Sequence, residues 1–246
     1  MRLFKGMPER NNTPILILHG ICHGLGYMSD IVEAFQDRLI IYLDINCIRF
    51  NWITLDVPDP NSLKEIITQI LKQYGIPKVS IISHSWGTFL AGWIVKLMPE
   101  VVSQITLIDP ISITVELPET TYCILYKYPD SIPNLLLYLF IRNDLTISNN
   151  LHRHFAWYNM ALKFQEIPDH IPVVVSIAGK DELIDSKTAS ELTTLAIQAR
   201  EKSSGASITH LVWDGFIHGM ALHKSESVLK IKQSIENNEV VQQNIF

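Results

Sequence analysis

Apolar residues recur along the chain in two alternating patterns. Short, nearly continuous runs at 15–18, 39–43, 79–82, 105–108, 173–177 and 208–213 are mostly rich in Ile and Val. Such runs predict strands buried on both faces, as in a parallel sheet. Between them the apolar positions fall at helical spacing. Leu63, Ile66, Ile67, Ile70 and Leu71 form one stripe, with Asn61 and Ser62 as caps and Gly75 and Pro77 as a stop. A second helix is expected after residue 85, carrying Phe89, Trp93, Val95 and Leu97 up to Pro99. A third starts at Asp185 or Ser186 and runs through Leu192, Leu195, Ala196 and Ala199; the last covers 226–235. This alternation predicts the α/β class, with a mostly parallel sheet and helices on both faces.

Residues 111–169 break the alternation. The segment is far longer than a strand–helix–strand link requires, is crowded with aromatics and Leu, and contains Pro118, Pro129 and Pro133. Two helices are expected in it, at 134–141 and 151–164. It reads as an inserted helical cap over the end of the sheet where open parallel sheets hold their sites. The core is then 1–110 together with 170–246, a single domain for a chain of 246 residues that is 47% hydrophobic.

Composition narrows the partners. Twenty-five acidic against 20 basic residues give a net charge of −5, spread without long runs, which argues against a nucleic-acid face. Cys22, Cys47 and Cys123 are too sparse for a disulfide framework and suit free thiols in a reducing compartment. Residues 1–12 are polar and lack the apolar core of a signal peptide, and no run reaches the about 18 apolar residues of a membrane span. A cytoplasmic protein is the expectation. No dinucleotide fingerprint or phosphate loop is present, and His152, His154, His218 and His223 lack companions at metal-ligand spacing. Neither cofactor nor metal is expected.

Four segments carry candidate chemistry. Ser83-His84-Ser85-Trp86-Gly87 follows the run 79–82 and leads into a helix. A serine hydroxyl becomes a useful nucleophile only when exposed, positioned and served by a base. A tight strand-to-helix turn presents it, and requires small residues two positions before and after, met by Ser83 and Gly87. His19-Gly20-Ile21-Cys22-His23-Gly24 ends the run 15–18. Ala178-Gly179-Lys180-Asp181-Glu182-Leu183-Ile184 follows 173–177, and Trp213-Asp214-Gly215-Phe216-Ile217-His218-Gly219-Met220 follows the last run.

In this order the motifs resemble those of the α/β-hydrolase fold family, from about Thr13 to Ile235, although Ser83 stands where the family's elbow usually has Gly. The resemblance implies Ser85 as nucleophile, Asp181 as the acid and His218 as the base. It also implies an oxyanion hole made by the backbone N–H groups of Ile21 and Trp86. Asp109, which ends the run 105–108, competes with Asp181 for the acid. Glu182 and Asp185 sit where a helix begins and are read as capping residues. His19 is read as structural, and His23 as a loop residue exposed to solvent.

A serine nucleophile argues against the epoxide hydrolases and dehalogenases of this fold, which resemble it but use Asp there. The expected reaction is hydrolysis of a carboxylic ester, acylglycerol or thioester through a Ser85 acyl-enzyme. Leu135, Leu136, Leu137, Leu139 and Phe140 point to a small apolar ester-type substrate, and the cap face suits weak contact with a membrane surface. The alternative is a non-catalytic member of the fold that binds an apolar small molecule or a partner protein. Oligomeric state is not legible in the sequence.

Overall fold

The computed structural model describes residues 2–5, 12–21, 25–48, 59–154 and 156–243. Seven strands form one sheet: β1 (Arg2–Lys5), β2 (Ile15–Leu18), β3 (Leu39–Leu43), β4 (Val79–His84), β5 (Val102–Ile108), β6 (Val173–Ala178) and β7 (Ile208–Trp213). Their order is β1-β3-β2-β4-β5-β6-β7. β1 runs antiparallel to β3, with Arg2 opposite Tyr42 and Lys5 opposite Leu39. The other six strands are mutually parallel.

All six strands expected from the apolar runs are present. β4 reaches His84, and β5 begins at Val102. Every residue of β2, β4, β5 and β6 is buried, as a strand covered on both faces requires. β1 was not expected: it lies in the polar stretch before residue 12, and a short antiparallel edge strand leaves no continuous apolar run.

Helices cover both faces: α1 (Ser29–Ala34), α2 (Pro60–Tyr74), α3 (Gly87–Leu97), α4 (Pro118–Leu125), α5 (Ile132–Leu137), α6 (Leu145–Asn149), α7 (Trp157–Met160), α8 (Ser186–Ser203) and α9 (Ser225–Gln243). α2 buries Leu63, Ile67, Ile70 and Leu71 and stops at Gly75, whose φ of 63° is the left-handed conformation glycine tolerates. Its cap is Asp59 rather than Asn61 or Ser62. The Asp59 carboxylate accepts from the N–H groups of both those residues, and Pro60 occupies the first helical position. Asp185 caps α8 in the same way.

The core divides across the sheet. On one face α2, α3 and α8 pack Leu63, Ile67, Phe89, Leu90, Ile94 and Ala196 onto Leu16, Ile81, Ile105 and Val175. On the other, α1 and α9 pack Ile31, Ile231 and Ile235 onto Ile15, Ile17, Ile82 and Val174.

Segment 111–169 leaves the sheet after β5 and returns at β6. The expected helix 134–141 is realised as α5 followed by a π-helical turn, Tyr138–Arg142. Arg142 fastens that turn to the end of α4, donating to the carbonyls of Cys123, Ile124 and Lys127. The single helix expected at 151–164 is absent. A π-helical turn (Asn150–His154), the short α7 and a 3-10 turn (Phe164–Glu166) stand in its place. The physical reason is competition from α3: Trp93 Nε1 donates to the Asn159 carbonyl at 2.9 Å and Lys96 Nζ to the Ala161 carbonyl at 2.6 Å. Those tertiary bonds hold the chain extended at Ala161, where ψ is 137°.

Candidate active site

The turn between β4 and α3 is built by close approach. Ser85 has φ of 50°, a strained conformation for a residue with a Cβ. Its N–H donates to the Ile108 carbonyl of β5 at 2.9 Å, and its carbonyl accepts from the Thr88 N–H and hydroxyl. Gly87 is obligatory on steric grounds. A Cβ there would stand 2.3 Å from the carbonyl oxygen of Leu18 and 2.8 Å from that of His19. Ser83 fills the other small position and is wholly buried, with its hydroxyl donating to the Thr106 carbonyl at 2.9 Å. The serine thus satisfies its own polar group inside the sheet, which is why glycine is not needed there.

Two further loops reach the turn from the ends of β6 and β7. The one after β6 carries Asp181 and the one after β7 carries His218. They lie backbone to backbone: Gly179 N–H donates to the Trp213 carbonyl and Lys180 N–H to the Phe216 carbonyl, both at 2.8 Å. A Cβ on Gly179 would come within 2.6 Å of the Asp214 Cα. This contact brings the predicted acid and base into register. Asp181 Oδ2 lies 2.6 Å from His218 Nδ1, and His218 Nε2 lies 2.8 Å from Ser85 Oγ. The carboxylate accepts, so Nδ1 carries the proton and Nε2 is left to accept from the serine hydroxyl. Asp181 Oδ1 accepts from the N–H groups of Leu183 and Ile184 at 2.8 and 3.1 Å, which fixes the carboxylate.

Asp109 does not take that place. It is fully buried with φ of 44°, and its oxygens accept from Ala178 N–H at 2.8 Å and Gly219 N–H at 2.7 Å. It braces the acid strand and the histidine loop from beneath. Ligand-capable atoms of Asp109, Asp181 and His218 lie within 4.8 Å of one another. All four carboxylate oxygens already accept N–H bonds, so the trio is a hydrogen-bonded network rather than an open ligand set.

Electrostatics follow the geometry. Burial acts to lower the His218 pKa, but the charges of Asp181, Asp109 and Glu182 and the bond to Asp181 outweigh it, raising the value to about 9. Burial likewise drives the Asp109 carboxyl up to about 6, with His218 opposing and Asp181 adding to the rise. The carboxylates outweigh burial, so the His218 ionisation is held above the ordinary histidine range.

A cavity of about 570 Å³ opens onto Ser85 and His218. Ile21 and Trp86, the predicted oxyanion donors, both line it, and Trp86 stands at the start of α3, where the first N–H groups have no partner within the helix. Its walls include Tyr27, Phe89 and Leu183, together with Ile111, Leu125, Leu136, Leu137, Phe140, Ile141, Leu151 and Trp157 from segment 111–169. Leu135 and Leu139 are not among them and stand 44% and 50% exposed.

Glu182 departs from its expected role. It does not cap α8; its carboxylate lies 3.5 Å from His218 N and lines the cavity. Tyr27 is a cavity residue that the sequence did not single out, since it lies in a short 3-10 turn (Leu25–Met28) with no pattern of its own. Its hydroxyl is pushed up to about 12 by burial and by the Asp109 charge. His19 is structural, as expected: it is buried, stacks on Tyr42 at 5.5 Å and accepts from Ile45 N–H at 3.0 Å. His23 and Cys22 lie outside the described residues. Cys47 and Cys123 are free thiols, with Cys47 buried. His210 lies in β7, and His223 pairs with Asp30 at 3.6 Å before α9. No described helix is long and apolar enough to cross a membrane.

Solved structures share the architecture at low identity. A membrane phospholipase A described as a bacterial virulence factor superposes with a TM-score of 0.64 at 14% identity, covering 94% of this chain and 81% of its own. The enzyme MGS-M2, from a Medee basin deep-sea metagenome library, gives a TM-score of 0.66 at 14% identity over 96% and 93% of the two chains. The proline iminopeptidase of Mycobacterium smegmatis gives 0.63 at 16% identity over 98% and 95%. No curated protein sequence matches the chain. Residues 13–163, more than half of the chain, match the sequence profile of the alpha/beta hydrolase fold. With that match, the parallel sheet and the strand-to-helix turn in agreement, the chain belongs to the α/β hydrolase fold family.

Proposed function

We propose that this protein is a serine hydrolase that cleaves an ester-type bond (a carboxylic ester, acylglycerol or thioester) through an acyl-enzyme on Ser85. The observation that carries the reading is the continuous relay from Asp181 Oδ2 through His218 to Ser85 Oγ, at 2.6 and 2.8 Å, opening into an apolar cavity. In this reading His218 Nε2 takes the Ser85 proton as Oγ attacks the substrate carbonyl. Asp181 holds the imidazole with Nδ1 protonated and stabilises the imidazolium. The N–H groups of Ile21 and Trp86 receive the oxyanion. His218 then returns the proton to the leaving group, and water repeats the sequence to release the acid. The phospholipase, hydrolase and peptidase among the structural relatives share the fold at identities too low to choose the bond cleaved.

Segment 111–169 is read as a cap that roofs the cavity with Leu136, Leu137, Phe140 and Trp157 and favours a small apolar acyl or alcohol group. Tyr128, Ile132, Leu135, Leu139 and Leu145 of this segment are exposed, which suits weak contact with lipid. The test is a panel of acyl esters and thioesters assayed with the wild type and Ser85→Ala. The variant should lose on the order of 10³-fold or more in kcat/KM while its circular dichroism is unchanged. Near-full activity in Ser85→Ala would remove the reading and leave a binding protein of the same fold.

A further inference from the structure

One carboxylate stands in the wall of a mostly apolar cavity. Among the described residues that line it, Glu182 is the sole acid, and no Lys or Arg lines it. No described Lys or Arg forms an ion pair with Glu182 elsewhere. Glu182 is half-buried and shares the one imidazole of His218 with Asp181 and Asp109, so a charged or donor-bearing group that enters the cavity would offset the remaining cost of its burial. Burial raises the Glu182 carboxyl above its ordinary value, consistent with that environment.

Glu182 Oε2 lies 3.5 Å from the backbone N of His218, so the carboxylate stands beside the loop that carries this histidine, in the wall of the cavity that opens onto Ser85. The walls of the same cavity carry Tyr27, Trp86, Phe89, Phe140 and Trp157. Aromatic faces attract cations through the ring quadrupole, and most strongly when the site is dry.

We propose that Glu182 is a specificity-determining residue that selects a substrate bearing a positive charge, of the amino-alcohol or quaternary-ammonium class. The inference deepens the serine-hydrolase reading and rests on its placement of the substrate in the cavity at Ser85 and His218.

The test uses binding, so it does not depend on turnover. Calorimetry at pH 8 compares the hexyltrimethylammonium ion with hexanesulfonate, two ions with the same apolar chain and opposite charge. The wild type should bind the cation more tightly by about tenfold or more. Glu182→Gln, which keeps the shape and loses the charge, should bring the ratio close to unity. An unchanged ratio in Glu182→Gln, or equal weakening of both ions, overturns the proposal, because a purely structural role moves both alike. A wild type without cation preference overturns it as well. In parallel, kcat/KM for a thiocholine ester over that for a neutral thioester of the same acyl chain should fall about tenfold in Glu182→Gln. If the binding preference is present and lost in the variant while a fluorophosphonate leaves Ser85 unmodified, the cation site stands and the hydrolase reading falls. Labelling of Ser85 without any cation preference has the opposite meaning.

Discussion

Gly87→Ala places one methyl group against a wall that cannot yield. The new Cβ would lie 2.3 Å from the Leu18 carbonyl oxygen, 2.6 Å from its carbon and 2.8 Å from the His19 carbonyl oxygen, where ordinary contact begins at 3.4 Å. Strand β2 and helix α3 would have to separate by about 1 Å. Leu18 is held in register on both sides, opposite Leu43 of β3 and Ser83 of β4, so the strand cannot withdraw alone. Overpacking of this kind costs about 1–3 kcal/mol or more. Against a typical domain stability of about 5–15 kcal/mol, that is a large fraction. Gly92→Ala, in the same helix, is the control: its Cβ would sit 3.3 Å from the Leu162 side chain, which is able to shift, and alanine gains about 1 kcal/mol in helix propensity. Urea unfolding followed by tryptophan fluorescence should show Gly87→Ala less stable than wild type by about 2 kcal/mol, with Gly92→Ala close to neutral. Fluorophosphonate reactivity should fall with the first and persist with the second, because the strand that must move leads directly to the His19–Ile21 loop. Equal stability of the two variants would refute the claim that backbone approach at Gly87 sets the turn.

Further expectations concern the acid, the base and the serine at position 83. Asp181→Asn should lower kcat/KM by about 10²-fold or more, and Asp109→Asn by less, since only Asp181 bonds the imidazole; a larger loss in Asp109→Asn, with folding intact, would exchange their roles. The pH profile of kcat/KM should rise with pH and turn over at a midpoint above the ordinary His value of 6.5, because the base must be neutral and the carboxylates favour its charged form. Asp109→Asn should shift that midpoint downward, as removal of a negative charge weakens the imidazolium; an unmoved or raised midpoint contradicts this assignment. Restoring the usual glycine by Ser83→Gly should destabilise by about 1–2 kcal/mol, through loss of the hydrogen bond to Thr106 and added backbone freedom, and a gain in urea stability would be the contrary result.

What the sequence disclosed was local. The strands are continuous apolar runs, most of them buried on both faces, and the elbow, acid and histidine segments each sit at the end of such a run, so the family resemblance could be carried to Ser85, Asp181 and His218, which the fold brings within hydrogen-bond distance. What it concealed depends on distance along the chain. Asp109 and Gly219 are 110 residues apart, and no spacing rule connects a strand-end carboxylate to that N–H. The expected helix at 151–164 had adequate local pattern, and the donors that broke it, Trp93 and Lys96, belong to a helix about sixty residues earlier. Glu182 was misread for a related reason. A carboxylate just ahead of a helix looks like a cap, but Asp185 already fills that office, which frees Glu182 to face the cavity. Asp59 escaped notice because the apolar stripe begins only at Leu63, and Pro60 extends the helix one turn upstream.

The central claim is that Ser85 is the nucleophile and His218 its base. Its most direct test is reaction of the intact protein with a fluorophosphonate, followed by peptide mapping of the adduct in wild type, Ser85→Ala and His218→Gln. The account predicts a single adduct on Ser85, none in Ser85→Ala, and labelling slowed by about 10²-fold or more in His218→Gln. An adduct on another serine, or equal labelling rates in wild type and His218→Gln, would contradict it.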